Sequence, residues 1–120
     1  MAFRFESLNI WKEAIDYAND LYEITKLFPP EEKFALADQL KRAAVSISNN
    51  IAEGSGSITT KGFALFLSIS IKSTLETVNI LYFAEKRKYI NSSQRLILYH
   101  KAEILIKKIR AFKNSLPKKP

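Results

Sequence analysis

Thirteen residues from Arg42 to Gly54, RAAVSISNNIAEG, constrain the fold of this chain more than any other stretch. Ala44, Ile47 and Ile51 extend a three–four spacing begun at Ala37 and Leu40, so all five lie along one side of a helix. Ser46 and Asn50 stand four apart and Glu53 three further on, which puts polar groups on a shared face. Buried polar groups must find partners, so Ser46 and Asn50 are expected to bond to neighbouring helices and fix their register. Glu53 opposes the dipole at a helix C-terminus. Its expected donors are the amides of Thr60 and Lys61, just across a short turn. Gly54 is placed for the left-handed residue that closes many helices.

Three more segments carry the same spacing. Leu8, Trp11, Ile15, Ala18, Tyr22, Thr25 and Phe28 predict a first helix over 9–28. Pro29-Pro30 ends it, because the residue before a proline is pushed out of the α region. The same pair opens helix two, predicted over 31–53, with Glu31 and Glu32 where the dipole favours anions. Helix three, over 60–88 behind a Thr59 or Thr60 cap, has a seam of Phe63, Phe66, Leu67, Ile71, Thr74, Val78 and Leu81. Leu65, Ile69, Ile80 and Phe83 fall outside that seam. A helix so apolar around its circumference is expected to be buried on two sides, one of them against a neighbouring subunit. Helix four, over 92–115, opens on a capping box at Asn91–Gln94 and runs through Leu98, Ala102, Leu105, Ile109, Phe112 and Leu116. Residues 117–120 read as a loose basic tail. The expectation is one all-α domain over 1–116, an antiparallel up-down-up-down four-helix bundle.

Composition narrows the function. The chain has 120 residues, 47% apolar, with no cysteine, which excludes disulfides and thiolate metal sites. No secretory start or membrane-length apolar run is evident, so a cytoplasmic protein is expected. His100 is the single histidine, so a zinc site would need carboxylates from distant helices and no Ser-His-Asp set can be argued; no metal, cofactor or enzyme activity is expected. The run from Gly54 to Lys61 lacks phosphate-loop spacing and follows a helix instead of a strand. Glu13, Asp16, Asp20 and Glu23 share one side of helix one. That stripe is read as solvated or interface-facing, in preference to a divalent-ion site.

The net charge of +7 is unevenly spread: residues 1–53 sum to −3 and residues 54–120 to +10. Lys86, Arg87 and Lys88 end helix three; Arg95, Lys101, Lys107, Lys108, Arg110 and Lys113 decorate helix four. These nine are the candidate nucleic-acid contacts, with Tyr82, Tyr89 and Tyr99 able to stack on unpaired bases where exposed. Two readings follow. The basic half faces RNA or DNA, or the acidic helix one of one subunit meets the basic helix four of another.

The stretch Arg42–Gly54 resembles the signature of the four-helix-bundle proteins encoded by intervening sequences in bacterial 23S rRNA genes. The likeness extends to Leu8–Ala14, to the Phe28–Glu32 corner, to Gln39–Ala44 and to the phenylalanine-rich segment Phe63–Glu76. Arg42, Ser46, Asn50, Glu53 and Gly54 carry its structural motif. Ser48 stands where the family has proline, Gly62 where glutamate is common, and Lys72 where a small residue precedes Ser73. The resemblance implies a ring-like homopentamer. It also points to a relative of similar fold, the accessory protein of diversity-generating retroelements, which is basic and associated with nucleic acid and a reverse transcriptase. No established reaction comes with it. The combined expectation is a non-enzymatic oligomer that binds RNA or DNA or assists a nucleic-acid enzyme; the alternative is a self-assembling scaffold. In the oligomer, Leu65, Ile69, Ile80 and Phe83 are the expected interface.

Overall fold

A computed structural model of the protein describes residues 2–118. Among them are four long helices and no strand: α1 (Asn9–Thr25), α2 (Leu36–Ser55), α3 (Thr60–Lys86) and α4 (Ser92–Ser115), with 3₁₀ turns at Arg4–Ser7 and Pro30–Glu32. They form a rod of 51 × 23 × 21 Å. Along α2 and α3 later residues of one meet earlier residues of the other, Ser46 against Ser73 and Gly54 against Phe63. The same reversal relates α1 to α4 and α3 to α4. Lys119 and Pro120 of the expected tail lie outside the described residues.

Two helices are shorter than the sequence spacing predicts. α1 stops at Thr25, and the amides of Lys26, Leu27 and Phe28 each bond three residues back, a tighter winding that still delivers Phe28 to the core. Pro30–Glu32 forms only a 3₁₀ turn, and Ala35, at φ −122° and ψ −103°, breaks the chain's winding before α2 begins at Leu36. Glu32 serves that helix from outside it. Its carboxylate accepts from the Leu36 amide (3.2 Å) and from the Tyr89 hydroxyl (2.7 Å). The Tyr89 bond, and then the amide, hold the carboxyl below its ordinary pKa.

The buried arc of α1 is rotated from the expected stripe. Ile10, Ala14, Tyr17 and Leu21 are buried with Ala18 and Thr25, whereas Ile15 and Tyr22 are exposed. Apolar residues cover so wide an arc of this helix that spacing alone does not identify its centre.

α3 is buried on two flanks, but both flanks belong to this chain. α2 covers one side and α4 the other, with Leu67, Thr74, Thr77 and Leu81 fully enclosed. Ile80 is only 2% exposed and packs in the core, so it is not available to a second subunit; Leu65, Ile69 and Phe83 remain exposed at 61%, 43% and 54%. By length and composition α3 could cross a membrane. Here its buried face instead carries Ser70, Ser73, Thr74 and Thr77 against other helices.

Those hydroxyls are satisfied without water. Ser70 donates to the Ile47 carbonyl (2.9 Å), Thr74 to the Ser70 carbonyl (2.8 Å) and Thr77 to the Thr74 carbonyl (2.6 Å). Tyr17 meets Thr77 at 2.9 Å, and burial raises its pKa to about 12. Ser46 bonds to Ser73 at 2.9 Å, as expected of a register contact. Asn50 turns back instead, donating to the Ser46 carbonyl (2.8 Å) and hydroxyl (3.0 Å). Ser48 likewise donates to Val45 within an unbroken α2.

Gly54 does not adopt a left-handed conformation; it lies within α2, and no glycine has positive φ. Its requirement is steric. A Cβ there would sit 2.7 Å from the Phe66 Cβ and 2.9 Å from the Phe63 ring, so only glycine lets α2 and α3 approach this closely. The left-handed position belongs to Lys88 (φ 65°), where bonds from Tyr89 to Ala84 and from Lys88 to Glu85 close α3. Gly54→Ala should lower stability by about 1–3 kcal/mol through overpacking. Gly56→Ala, whose added Cβ would meet nothing nearer than 3.5 Å, should not lower it. Urea midpoints of the two variants measure the difference.

Candidate nucleic-acid interface

Charge on α4 is divided between two sides of the helix. Lys101 and Lys108, seven apart, point toward α1 and meet Asp20 (2.7 Å) and Glu13 (2.5 Å), themselves seven apart. Two members of the acidic stripe of helix one, Glu13 and Asp20, are therefore neutralised by helix four inside one chain. Both lysines leave the set of free cations, and the pairing that the alternative reading places between subunits is made within the subunit instead.

Arg95 is also engaged. Its guanidinium pairs with Glu85 and lies 4.5 Å over the Tyr82 ring, leaving the side chain 14% exposed. Both charge and aromatic face are used to join the end of α3 to the start of α4. Tyr82 and Tyr99 meet edge to face at 6.3 Å, and Tyr89 packs on Phe28 at 5.6 Å. None of the three is the unoccupied stacking platform the sequence allows.

Lys86, Arg87 and Lys88 remain exposed at the closing turn of α3. Lys107 and Arg110 edge a shallow cleft of about 250 Å³ with Leu75, Tyr99, Glu103 and Ile106. Lys113 donates to the Ser68 hydroxyl at 2.8 Å. Of the twelve described lysines and arginines after Gly54, three pair with carboxylates, which leaves nine without an ionic partner among the described residues. Three of these lie outside the sequence-derived set: Lys72, Lys118 and, at the start of α3, Lys61. The position of Lys61 in the first turn of α3 brings it beside Lys113 in the last turn of α4. Opposed helix ends were the signal for that meeting.

The motif residues of α2 sit on a different face. Arg42 pairs with Asp38 at 2.8 Å in the open. Ser46, Asn50 and Glu53 border a broad cleft of about 540 Å³ with Tyr22 and Lys41. Glu53 does not receive the Thr60 or Lys61 amide. Thr59 caps α3 alone, accepting from Gly62 at 3.0 Å, and glycine at position 62 supplies no reciprocal side chain. Among the described residues no three His, Cys, Asp or Glu side chains are placed to hold a metal.

Exposed ion pairs contribute about 0–1 kcal/mol each. Replacing Lys101 and Lys108 together by glutamine should therefore change stability by no more than about 2 kcal/mol in a urea titration. The more informative outcome is that nucleic-acid affinity stays close to wild type, because neither charge is free. A large loss of binding in that variant would contradict this division of α4.

A solved structure from Bacteroides thetaiotaomicron, described as a protein of unknown function from the S23 ribosomal protein family, has the same fold. It superposes with a TM-score of 0.80 over 88% of this chain and 99% of its own, at 21% identity. No curated protein matches the chain. Residues 6–111, nearly the whole bundle, match the family described as 23S rRNA-intervening sequence protein, and to that family this chain belongs.

Proposed function

We propose that this protein is a non-enzymatic helical bundle that contacts RNA or DNA through its basic C-terminal half. The observation that carries this reading is the imbalance left after internal pairing. Among the described residues nine cations after Gly54 pair with no carboxylate, against two glutamates, Glu76 and Glu103, that no described lysine or arginine pairs with. Such a surface attracts a polyanion by counterion release, with little sequence preference. In place of the nine residues read from sequence, the contact set becomes Lys86, Arg87, Lys88, Lys107, Arg110 and Lys113, joined by Lys61. The description of the family, which ties it to 23S rRNA genes, agrees with a nucleic-acid setting.

Self-assembly belongs to the same proposal. An up-down-up-down bundle closing into a homopentameric ring is what the family resemblance implies, and five copies at +7 each carry +35. Exposed Leu65, Ile69 and Phe83 supply apolar surface for it. A nucleic-acid enzyme such as a reverse transcriptase, in the cytoplasm, is the partner class the reading allows.

Binding of single-stranded RNA, followed by fluorescence anisotropy across a salt series, tests the first part. Log affinity should fall with log salt by about 0.7 per phosphate neutralised. Lys107→Gln with Arg110→Gln should reduce that slope by about 0.7 for each charge removed. Affinity that ignores salt would overturn the reading. Light scattering tests the second part: Ile69→Glu should reduce the oligomer to a folded smaller species, whereas Ile80→Glu should unfold the chain by burying a charge. A wild-type protein that is monomeric at micromolar concentration would refute assembly.

A further inference from the structure

At the end of the rod where α3 begins and α4 finishes, a cleft of about 450 Å³ opens between the two helices. Lys61, Lys113 and Lys118 line it, and among the described residues no carboxylate does. The neighbouring clefts differ in this respect: those beside Lys101, Lys41 and Lys107 contain Asp20, Glu53 and Glu103 respectively. Lys113 is half-buried, and its one partner among the described residues is the neutral Ser68 hydroxyl, which cannot offset its charge. Three cations brought into one concavity repel each other unless an anion joins them.

We propose that this cleft binds a terminal phosphate, the phosphorylated end of a single-stranded RNA or DNA. The assignment rests on the nucleic-acid reading above and names where one strand end is held. A terminal phosphate carries close to two negative charges at neutral pH, against one for an internal diester, and three ammonium groups suit the higher charge. Asn114 and Thr60 border the same space as neutral residues with hydrogen-bonding side chains. The amides of Thr60 and Lys61 have no partner among the described residues, because Thr59 takes those of Gly62 and Phe63. Leu116 and Pro117 form an apolar wall against which the attached sugar or base can rest. The volume accepts about one nucleotide, not a duplex.

The test compares labelled ten-nucleotide RNAs bearing a 5′-phosphate, a 3′-phosphate or neither, by anisotropy with the full-length protein. One phosphorylated form should bind about tenfold more tightly than the unphosphorylated strand, the worth of roughly one charge-assisted hydrogen bond. That advantage should vanish in Lys61→Gln, an exposed site whose loss leaves the core alone, and in Lys61→Gln with Lys113→Gln. It should survive in Lys107→Gln with Arg110→Gln. Adenosine monophosphate should compete away the advantage while leaving binding of the unphosphorylated strand. If all three RNAs bind equally, the cleft assignment is overturned and the general nucleic-acid reading stands. If no RNA binds but adenosine monophosphate shifts the Lys61 and Gly62 amide resonances, the general reading falls and a phosphate site remains.

Discussion

The close approach of α2 and α3 organises the rest of this molecule. It depends on side chains too small to hold the helices apart: Gly54 opposite Phe63 and Phe66, Ser46 opposite Ser73, and Ser70 against the backbone at Ile47. Small polar residues bring a cost that leucine would not, since an unpaired buried hydroxyl loses its hydration. Each hydroxyl on this face therefore bonds to a carbonyl or to another hydroxyl, and Tyr17 reaches across from α1 to join the set at Thr77. With α2 this near on one flank and α4 on the other, α3 becomes the central helix. Its apolar circumference follows from that position.

The remaining side of the bundle, between α1 and α4, closes differently. Tyr17, Leu21, Leu105 and Ile109 fill the interior, and the outer edge is lined by Glu13–Lys108 and Asp20–Lys101. Pairs this exposed add little stability. Their larger consequence is to sort the cations. Those on the α1 side of α4 are neutralised, while Lys107, Arg110 and the group at the end of α3 keep their charge. The net charge of the second half is thus concentrated on fewer residues than the sequence suggests, and at defined places.

Helix number, the ends of α3 and α4 to within two residues and the Asn91–Gln94 capping box were legible in the sequence, because each rests on local spacing or local hydrogen bonding. What misled was any inference needing the rotation of one helix about another. Ile15 and Tyr22 share a periodicity with buried neighbours yet face outward, and Ile80 lies off the expected seam yet is buried. Gly54 was given a conformational reason when its reason is contact with Phe66, which only tertiary structure reveals. The division of the basic set was hidden by the same cause. Lys101 and Lys107 are equivalent as letters, and only the position of Asp20 separates a paired charge from a free one. Lys61 and Lys113 are fifty-two residues apart, so their common cleft has no local signature.

Assembly and nucleic-acid contact, as proposed, draw on separate residues, yet electrostatics couples them. Copies that each carry +7 repel when brought together, and at physiological ionic strength that repulsion is screened only beyond about 8 Å. Apolar contact through Leu65, Ile69 and Phe83 must overcome it. A bound polyanion removes part of the repulsion, so it favours the assembled state; by linkage, the assembled state binds the polyanion more tightly by the same factor. Added salt then acts in opposite directions on the two equilibria, relieving repulsion between subunits while weakening phosphate contacts. A protein with these properties responds cooperatively to nucleic acid without any change in the fold of its single bundle, because the coupling lies in charge left unpaired by α1.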